Sequence, residues 1–358
     1  MNSSAPLFQE IQIRDLTISN RIWVSPMCQY SATDGLASDW HRVHLGAFAT
    51  GGAGLTIVEA TGVVPEGRIS VGCLGIWSDE HAHALQPMVD FAHSQGVAIG
   101  IQLAHAGRKG STMRPWDDHL IASPEEGGWQ TVSASEIAFH GMPTPHALSI
   151  NEIAKLVESF ATAALRAVNV GFDVIELHAA HGYLFHQFFS PLSNNRTDEY
   201  GGDFAGRTKF LLQTVKRVRE VIPQTTPLFV RISATDWVEG GWTIEDSIQL
   251  AKELQTAGVD LIDVSSGGIV HNATIPFGPS FQVPLAEAIK QGADIPTSAV
   301  GLITDAQQAN EIVSSNKADA VMMGRVMLRN PRWPLAAAET LNEKIAWPKQ
   351  LERARTLK

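Results

Sequence analysis

Short, uninterrupted apolar runs recur along this chain at positions 21–24, 55–58, 98–101, 174–177, 228–231, 261–264, 296–299 and 320–323. A polar or glycine-rich stretch follows each run, and a helical pattern then leads to the next. Continuous rather than alternating hydrophobicity is what parallel strands covered on both sides require. The helical segments carry their own signals. Ile153, Leu156, Val157, Phe160 and Ala164 share one face at helical spacing, behind a Ser149/Glu152 capping box. Ile244, Ile248, Ala251 and Leu254 repeat the pattern after Thr243, and Gly258 stops that helix. Thr304 and Gln307 are placed to open another.

Strands alternating with helices eight times, with no linker between halves, predict an α/β fold of the (β/α)8 TIM-barrel type, a single domain over residues 1–358. A doubly wound sheet is the alternative, weakened because no G-x-G-x-x-G opens after the first run. Ahead of the barrel, Phe8–Ile13 and Leu16–Ile18 with Arg14-Asp15 between them read as an N-terminal β-hairpin. Two stretches exceed the connections of a minimal barrel. Residues 107–147 follow the third run and are rich in Gly, Pro and Ser, so they form a lid-like insertion on the C-terminal face. Residues 182–204 follow the fourth and contain the turn-forming Asn194-Asn195-Arg196-Thr197-Asp198-Glu199-Tyr200-Gly201-Gly202. Residues 333–358 form a C-terminal tail.

Composition narrows the class. The chain has 358 residues, 44% of them hydrophobic and 18% charged, an ordinary globular balance. A net charge of −10 without a Lys/Arg cluster argues against nucleic acid or an anionic membrane as partner. Met1-Asn2-Ser3-Ser4-Ala5-Pro6 carries no basic-then-apolar leader, and no apolar stretch is long enough to span a bilayer. Cys28 and Cys73 are the only cysteines, too few for a disulfide framework. A soluble cytoplasmic protein is the expectation.

The candidate chemistry concentrates where the fourth run ends, in Glu176-Leu177-His178-Ala179-Ala180-His181-Gly182-Tyr183. Two imidazoles that donate to a developing oxyanion, beside a phenol that releases a proton, suit a carbonyl substrate. The same His-x-x-His also reads as half a metal site, or as two histidines satisfying core hydrogen bonds. In a barrel, residues ending the other strands meet at the same face. They are Ser25, Pro26, Met27, Cys28, Gln29 and Tyr30 from the first, Glu59-Ala60-Thr61 from the second, and Gln102 and His105 from the third. Arg231 comes from the fifth, Gly301 from the seventh and Gly324-Arg325 from the eighth. Glycines in the last two loops let backbone N–H groups approach a phosphate. An amide at 102 and a cation at 231 suit a planar heterocycle, so riboflavin phosphate (FMN) is the candidate cofactor. Each residue also has a plain structural reading: an ion pair for Arg231, turns for the glycines, a core amide for Gln102.

Taken together, Pro26-Met27-Cys28-Gln29-Tyr30, Asp39-Trp40-His41 with His44, Glu59-Ala60-Thr61, Gln102-Leu103-Ala104-His105-Ala106-Gly107-Arg108, His178 to Leu184, and Asn195-Arg196-Thr197-Asp198 with Tyr200-Gly201-Gly202 resemble the Old Yellow Enzyme family of flavin-dependent ene-reductases. More narrowly they resemble its bacterial, thermophilic-like branch, which includes the xenobiotic reductases. The likeness runs from about residue 7 to 332, with the motifs in the family's order. It implies an NADPH dehydrogenase or ene-reductase with bound FMN and with NADPH or NADH as reductant. Gln102, Arg231 and backbone around Pro26 and Ala60 would contact the flavin, with Ser25, Met27, Cys28 and His178 beside it. Gly301, Gly324 and Arg325 would hold the phosphate. His178 and His181 would bind the oxygen of an enone or nitro substrate while flavin N5 delivers hydride and Tyr183 the proton. Cys28 and Tyr30 would tune potential and fit. No metal is implied. Where relatives carry a tryptophan before the glycine of strand seven, this chain has Val300, which implies a roomier pocket. A homo-oligomer, dimer or larger, is implied too, with Arg353 reaching a neighbouring site. His41, His44 and the lid tryptophans are expected to serve packing.

Overall fold

All eight apolar runs become strands, and the strands close on themselves. The computed structural model describes residues 5–355, so Met1 to Ser4 and the last three residues of the tail lie outside it. The strands are β1 (Ile22–Val24), β2 (Leu55–Gly62), β3 (Ala98–Ala104), β4 (Val174–Ala179), β5 (Leu228–Ser233), β6 (Leu261–Ser265), β7 (Thr297–Ala299) and β8 (Ala320–Met323). They form one closed barrel in sequence order, and every neighbouring pair is parallel. A doubly wound sheet is thereby excluded.

Helices α1 (Asp39–Ala49), α2 (Asp79–Ser94), α3 (Ile150–Asn169), α4 (Phe204–Val221), α5 (Ile244–Thr256), α6 (Val283–Ala293), α7 (Ala306–Ser314) and α8 (Trp333–Thr340) complete the alternation. Short helices at Leu184–Phe189 and Arg325–Arg329 are additions at the mouth. The capping boxes at Ser149/Glu152 and Thr243/Asp246 start α3 and α5. At α7 the cap is Asp305 paired with Gln308, one residue beyond the expected Thr304. The reason is chemical: the Asp305 carboxylate accepts from the backbone N–H of both Gln307 and Gln308. Among the described residues no helix is long and apolar enough to cross a membrane.

The barrel interior is divided by height. Its lower part is apolar, built from Trp23, Leu55, Ile57, Val174, Phe229, Leu261, Ala320 and Met322, with Trp23 stacked on Phe229 at 5.8 Å. Ile13 and Ile18 of the antiparallel hairpin join this cluster and seal the bottom. The hairpin's first strand is Ile11–Ile13, shorter than expected because Pro6–Phe8 forms a 3-10 turn. The upper part of the interior is polar. The lower part is where burial stabilises the fold, and the upper part is where chemistry is possible.

Candidate active site

The floor of the mouth is a ring of buried polar side chains from adjacent strands. Strand register pairs Gln102 with Glu176, Arg231 with Asp263, and Asp263 with Ser298. Gln102 donates to Glu176 at 2.8 Å, Ser298 donates to Asp263 at 2.8 Å, and Arg231 Nε lies 3.0 Å from Asp263. Burial, reinforced by Asp263, pushes the Glu176 carboxyl up to about 8. Burial also raises Asp263, although Arg231 opposes it. Two carboxyls facing one guanidinium are therefore neutralised by keeping a proton on Glu176. Arg231 does make the strand ion pair considered above, but only through Nε. Among the described residues its two terminal nitrogens and the Gln102 amide oxygen have no protein hydrogen-bond partner. Free N–H donors beside a free amide oxygen fit the mixed acceptor and N–H edge of a flavin-type heterocycle.

Above this floor stand His178, His181 and Tyr183. The His178 ring lies 5.1 Å from that of His181 and 4.9 Å from that of Tyr183, nearly perpendicular to both. His181 and Gly182 have φ of 59° and 73°, a tight left-handed turn that swings the chain off the strand end. A side chain at Gly182 would strike the Gly268 carbonyl oxygen, so glycine is required there for close backbone approach. Burial, then the Arg231 cation, hold both imidazoles well below the ordinary histidine range, so they are neutral. His178 Nδ1 accepts from the Ala180 N–H at 3.2 Å. A neutral ring that accepts at Nδ1 carries its proton on Nε2, so His178 is an obligatory donor. His181 differs: its Nε2 lies 2.7 Å from Ser265 Oγ. Burial also raises the Tyr183 phenol well above its ordinary value, so it keeps its proton.

Several contributors had escaped the sequence reading. Lys109, one residue past the quoted third-strand motif, donates to the backbone oxygens of His181 at 2.8 Å and Gly268 at 3.0 Å. Its ammonium lies 5.2 Å from the Tyr183 ring centroid and 4.6 Å from that of Phe139. Burial, then Arg108, bring it down to about 8. Glu176, Asp263 and Ser265 were also missed as site residues. The available signal was a carboxylate inside an otherwise apolar strand, in 174–177 and again in 261–264.

The remaining expected residues fall at the same face. Ser25 is tied to the end of β8 by its N–H to Met323 O at 3.1 Å, and Met27 lies against Gly324. Pro26, Cys28 and Tyr30 continue that loop and are half-buried. Ala60 sits at the irregularity of β2, between Val58 and Thr61. Tyr30 meets Trp116 of the long insertion edge-on at 5.9 Å. Gly301 has φ of 123°, and Gly324 precedes the short helix that begins at the exposed Arg325. Val300 is half-buried and packs on the barrel interior. His105 is buried: its Nδ1 accepts from the Gly107 N–H at 3.0 Å, and burial lowers it to about 3. His41 Nε2 faces a Glu59 carboxylate oxygen at 3.3 Å, and the His44 ring lies 4.7 Å from that of Phe48. Residues 344–350 of the tail line a cleft with Asn20, Gly52 and Val97 at the bottom of the barrel, so exposed Arg353 begins far from its own mouth. Among the described residues no third His, Cys, Asp or Glu joins His178 and His181 at ligand distance.

A closed eight-stranded barrel with this floor and these donors defines a flavin-dependent oxidoreductase. Residues 6–344 match the model of the NADH:flavin oxidoreductase / NADH oxidase family, and the chain belongs to that family, among the Old Yellow Enzymes. With the family come FMN as cofactor and a reduced nicotinamide as electron source. The chain is 49% identical over 350 residues to an NADPH dehydrogenase of Geobacillus thermodenitrificans, covering 97% of this chain and 98% of that one. It is 44% identical over 370 residues to an NADH:flavin oxidoreductase of Gibberella zeae, covering 98% and 89%. Among solved structures, morphinone reductase superposes with a TM-score of 0.79 at 28% identity, covering 97% and 92%. An old yellow enzyme homologue from Zymomonas mobilis gives 0.77 at 27%, covering 95% and 94%.

Proposed function

We propose that this oxidoreductase reduces the activated C=C bond of α,β-unsaturated carbonyl compounds and related electron-poor acceptors, nitro compounds included. The observation that carries the reading is the forced tautomer of His178, whose Nε2–H must point its proton outward beside a protonated Tyr183. Bound FMN supplies the two-electron relay between a reduced nicotinamide and the acceptor. Gln102 and Arg231 would hold its heterocycle and Gly301, Gly324 and Arg325 its phosphate, with Ser25, Pro26, Met27, Cys28 and Ala60 lining it.

As the β-carbon is reduced, negative charge grows on the acceptor's oxygen. A fixed neutral donor stabilises that charge without reorganising, worth about 3–4 kcal/mol for each such donor. His178 is the fixed donor. His181 is the adjustable one, sharing its proton with Ser265 until an acceptor oxygen replaces that partner. Tyr183 then protonates the α-carbon, and Lys109 across its ring holds the phenol and the His181 turn in place. Tyr30 adds a hydroxyl at the rim. The insertion 107–147 acts as the lid of a single barrel domain, and half-buried Val300 leaves room for bulky acceptors. In a homo-oligomer, Arg353 would complete a neighbouring mouth.

The test is one anaerobic cuvette. The flavin band of the purified protein should bleach with NADPH and return on adding cyclohexenone. A flavin that is bleached by NADPH but reoxidised by neither enones nor nitro compounds would rule this acceptor class out.

A further inference from the structure

The only two cysteines of the chain, 45 positions apart, meet beside the candidate active site. Cys28 lies in the loop after β1 and Cys73 in the segment between β2 and α2. Their sulfurs and a Glu59 carboxylate oxygen all fall within 4.8 Å of one another. The two segments are held together by backbone: the Ala32 N–H donates to Gly72 O at 2.9 Å, and Gly72 packs against the Tyr30 carbonyl. Cys73 is fully buried and accepts from the Ser70 N–H at 3.4 Å, whereas Cys28 is partly exposed. Nothing in the acceptor chemistry uses the second thiol. A metal ion is a poor occupant, because Glu59 already faces the Gln29 N–H at 3.0 Å and His41 at 3.3 Å, leaving two sulfurs as free ligands.

We propose that Cys28 and Cys73 are a site of reversible oxidative modification, closing to a disulfide under hydrogen peroxide and slowing the enzyme when closed. The oxidant arises at this mouth whenever dioxygen takes the place of the organic acceptor, since two electrons and two protons convert it to peroxide; the family's name includes NADH oxidase. The Cys28 sulfur, the less buried of the two, attacks peroxide, breaking its O–O bond to give a sulfenic acid and one water. The Cys73 sulfur then attacks Cys28, the S–O bond breaks, and a second water leaves. Both thiol protons end in water, two electrons pass from the sulfur pair to peroxide, and the product is one S–S bond. That bond needs the sulfurs about 2 Å apart, so closure draws the Cys28-Gln29-Tyr30 loop toward Cys73 and away from its resting place at the mouth. The hydrogen bond to Cys73, then burial, hold the Cys28 thiol above its ordinary range. Thiolate is therefore scarce, and closure follows sustained peroxide rather than traces.

The effect on turnover rests on the acceptor reading above; the thiol chemistry does not. The holoenzyme is treated with hydrogen peroxide, unfolded in alkylating reagent and weighed. A loss of about 2 Da with no free thiol, and a peptide linking 28 to 73, is expected. Enone turnover should fall several-fold and recover with dithiothreitol. In Cys73→Ser, and equally in Cys73→Ala, turnover before peroxide should be unchanged, and peroxide should add about 16 or 32 Da at Cys28 with no linked peptide. Two free thiols after peroxide, or a wild-type Cys28 sulfinate with Cys73 still free, would overturn the pair as a site. A linked pair with undiminished turnover would overturn its control of the reaction.

Discussion

His178, Tyr183 and Lys109 owe their properties to neighbours rather than to side-chain type. One backbone N–H decides which nitrogen of His178 bears the proton, and burial keeps that of Tyr183 in place. Tyr183→Phe removes only the oxygen. The acceptor half-reaction should slow about 10²-fold or more, while flavin reduction by NADPH stays near wild type, as stopped-flow absorbance would show. Lys109 makes a pH-dependent prediction. Its ammonium is charged below about 8 and neutral above, whereas an ordinary lysine stays charged to about 10.4. The acceptor half-reaction should therefore weaken as pH rises through 8. Lys109→Arg, which keeps its charge, should move that limb upward. Lys109→Met should be slow throughout and show no limb, measured as half-reaction rate against pH.

At the level of elements, the hairpin and the capped helices have separable duties. The hairpin places Ile18 in the barrel bottom, fully buried, far from the polar floor. Ile18→Ala should cost about 2–5 kcal/mol of stability in thermal or denaturant unfolding and leave the flavin spectrum and both half-reactions intact. A change in the acceptor half-reaction alone would mean that the bottom and the mouth are coupled. The turn after β4 is the opposite case. There Gly182 lets the chain approach the Gly268 carbonyl, and Lys109 donates to the backbone oxygens of both His181 and Gly268, tying the two loops together.

For the whole molecule, barrel closure turns scattered positions into one site. Asp263 is the tie between β5, β6 and β7, through Arg231 and Ser298. Asp263→Ala leaves a buried guanidinium without its carboxylate and should cost about 3–5 kcal/mol, with weaker FMN retention, read by thermal unfolding and by flavin released on filtration. Removing FMN from the wild type should lower its stability as well, by about 2.7 kcal/mol relative to FMN at a hundred times its Kd. The alternation of apolar runs with capped helical periods by itself determined eight strands, their order and the face on which their ends meet, because burial on both sides of a strand leaves a continuous signature. It also placed His178, His181, Tyr183, Gln102 and Arg231 at one face, since those residues stand in or just beyond the C-terminal halves of three consecutive strands. Only the tertiary structure decided what depends on atoms distant in sequence. It set the proton on Glu176 shared against Asp263 and Arg231, the His178 tautomer, the Ser265 contact to His181, Lys109 across Tyr183, and the meeting of Cys28 with Cys73. Periodicity reports which face of an element is buried. It carries no record of which polar group stands opposite, and that partner decides protonation and reactivity.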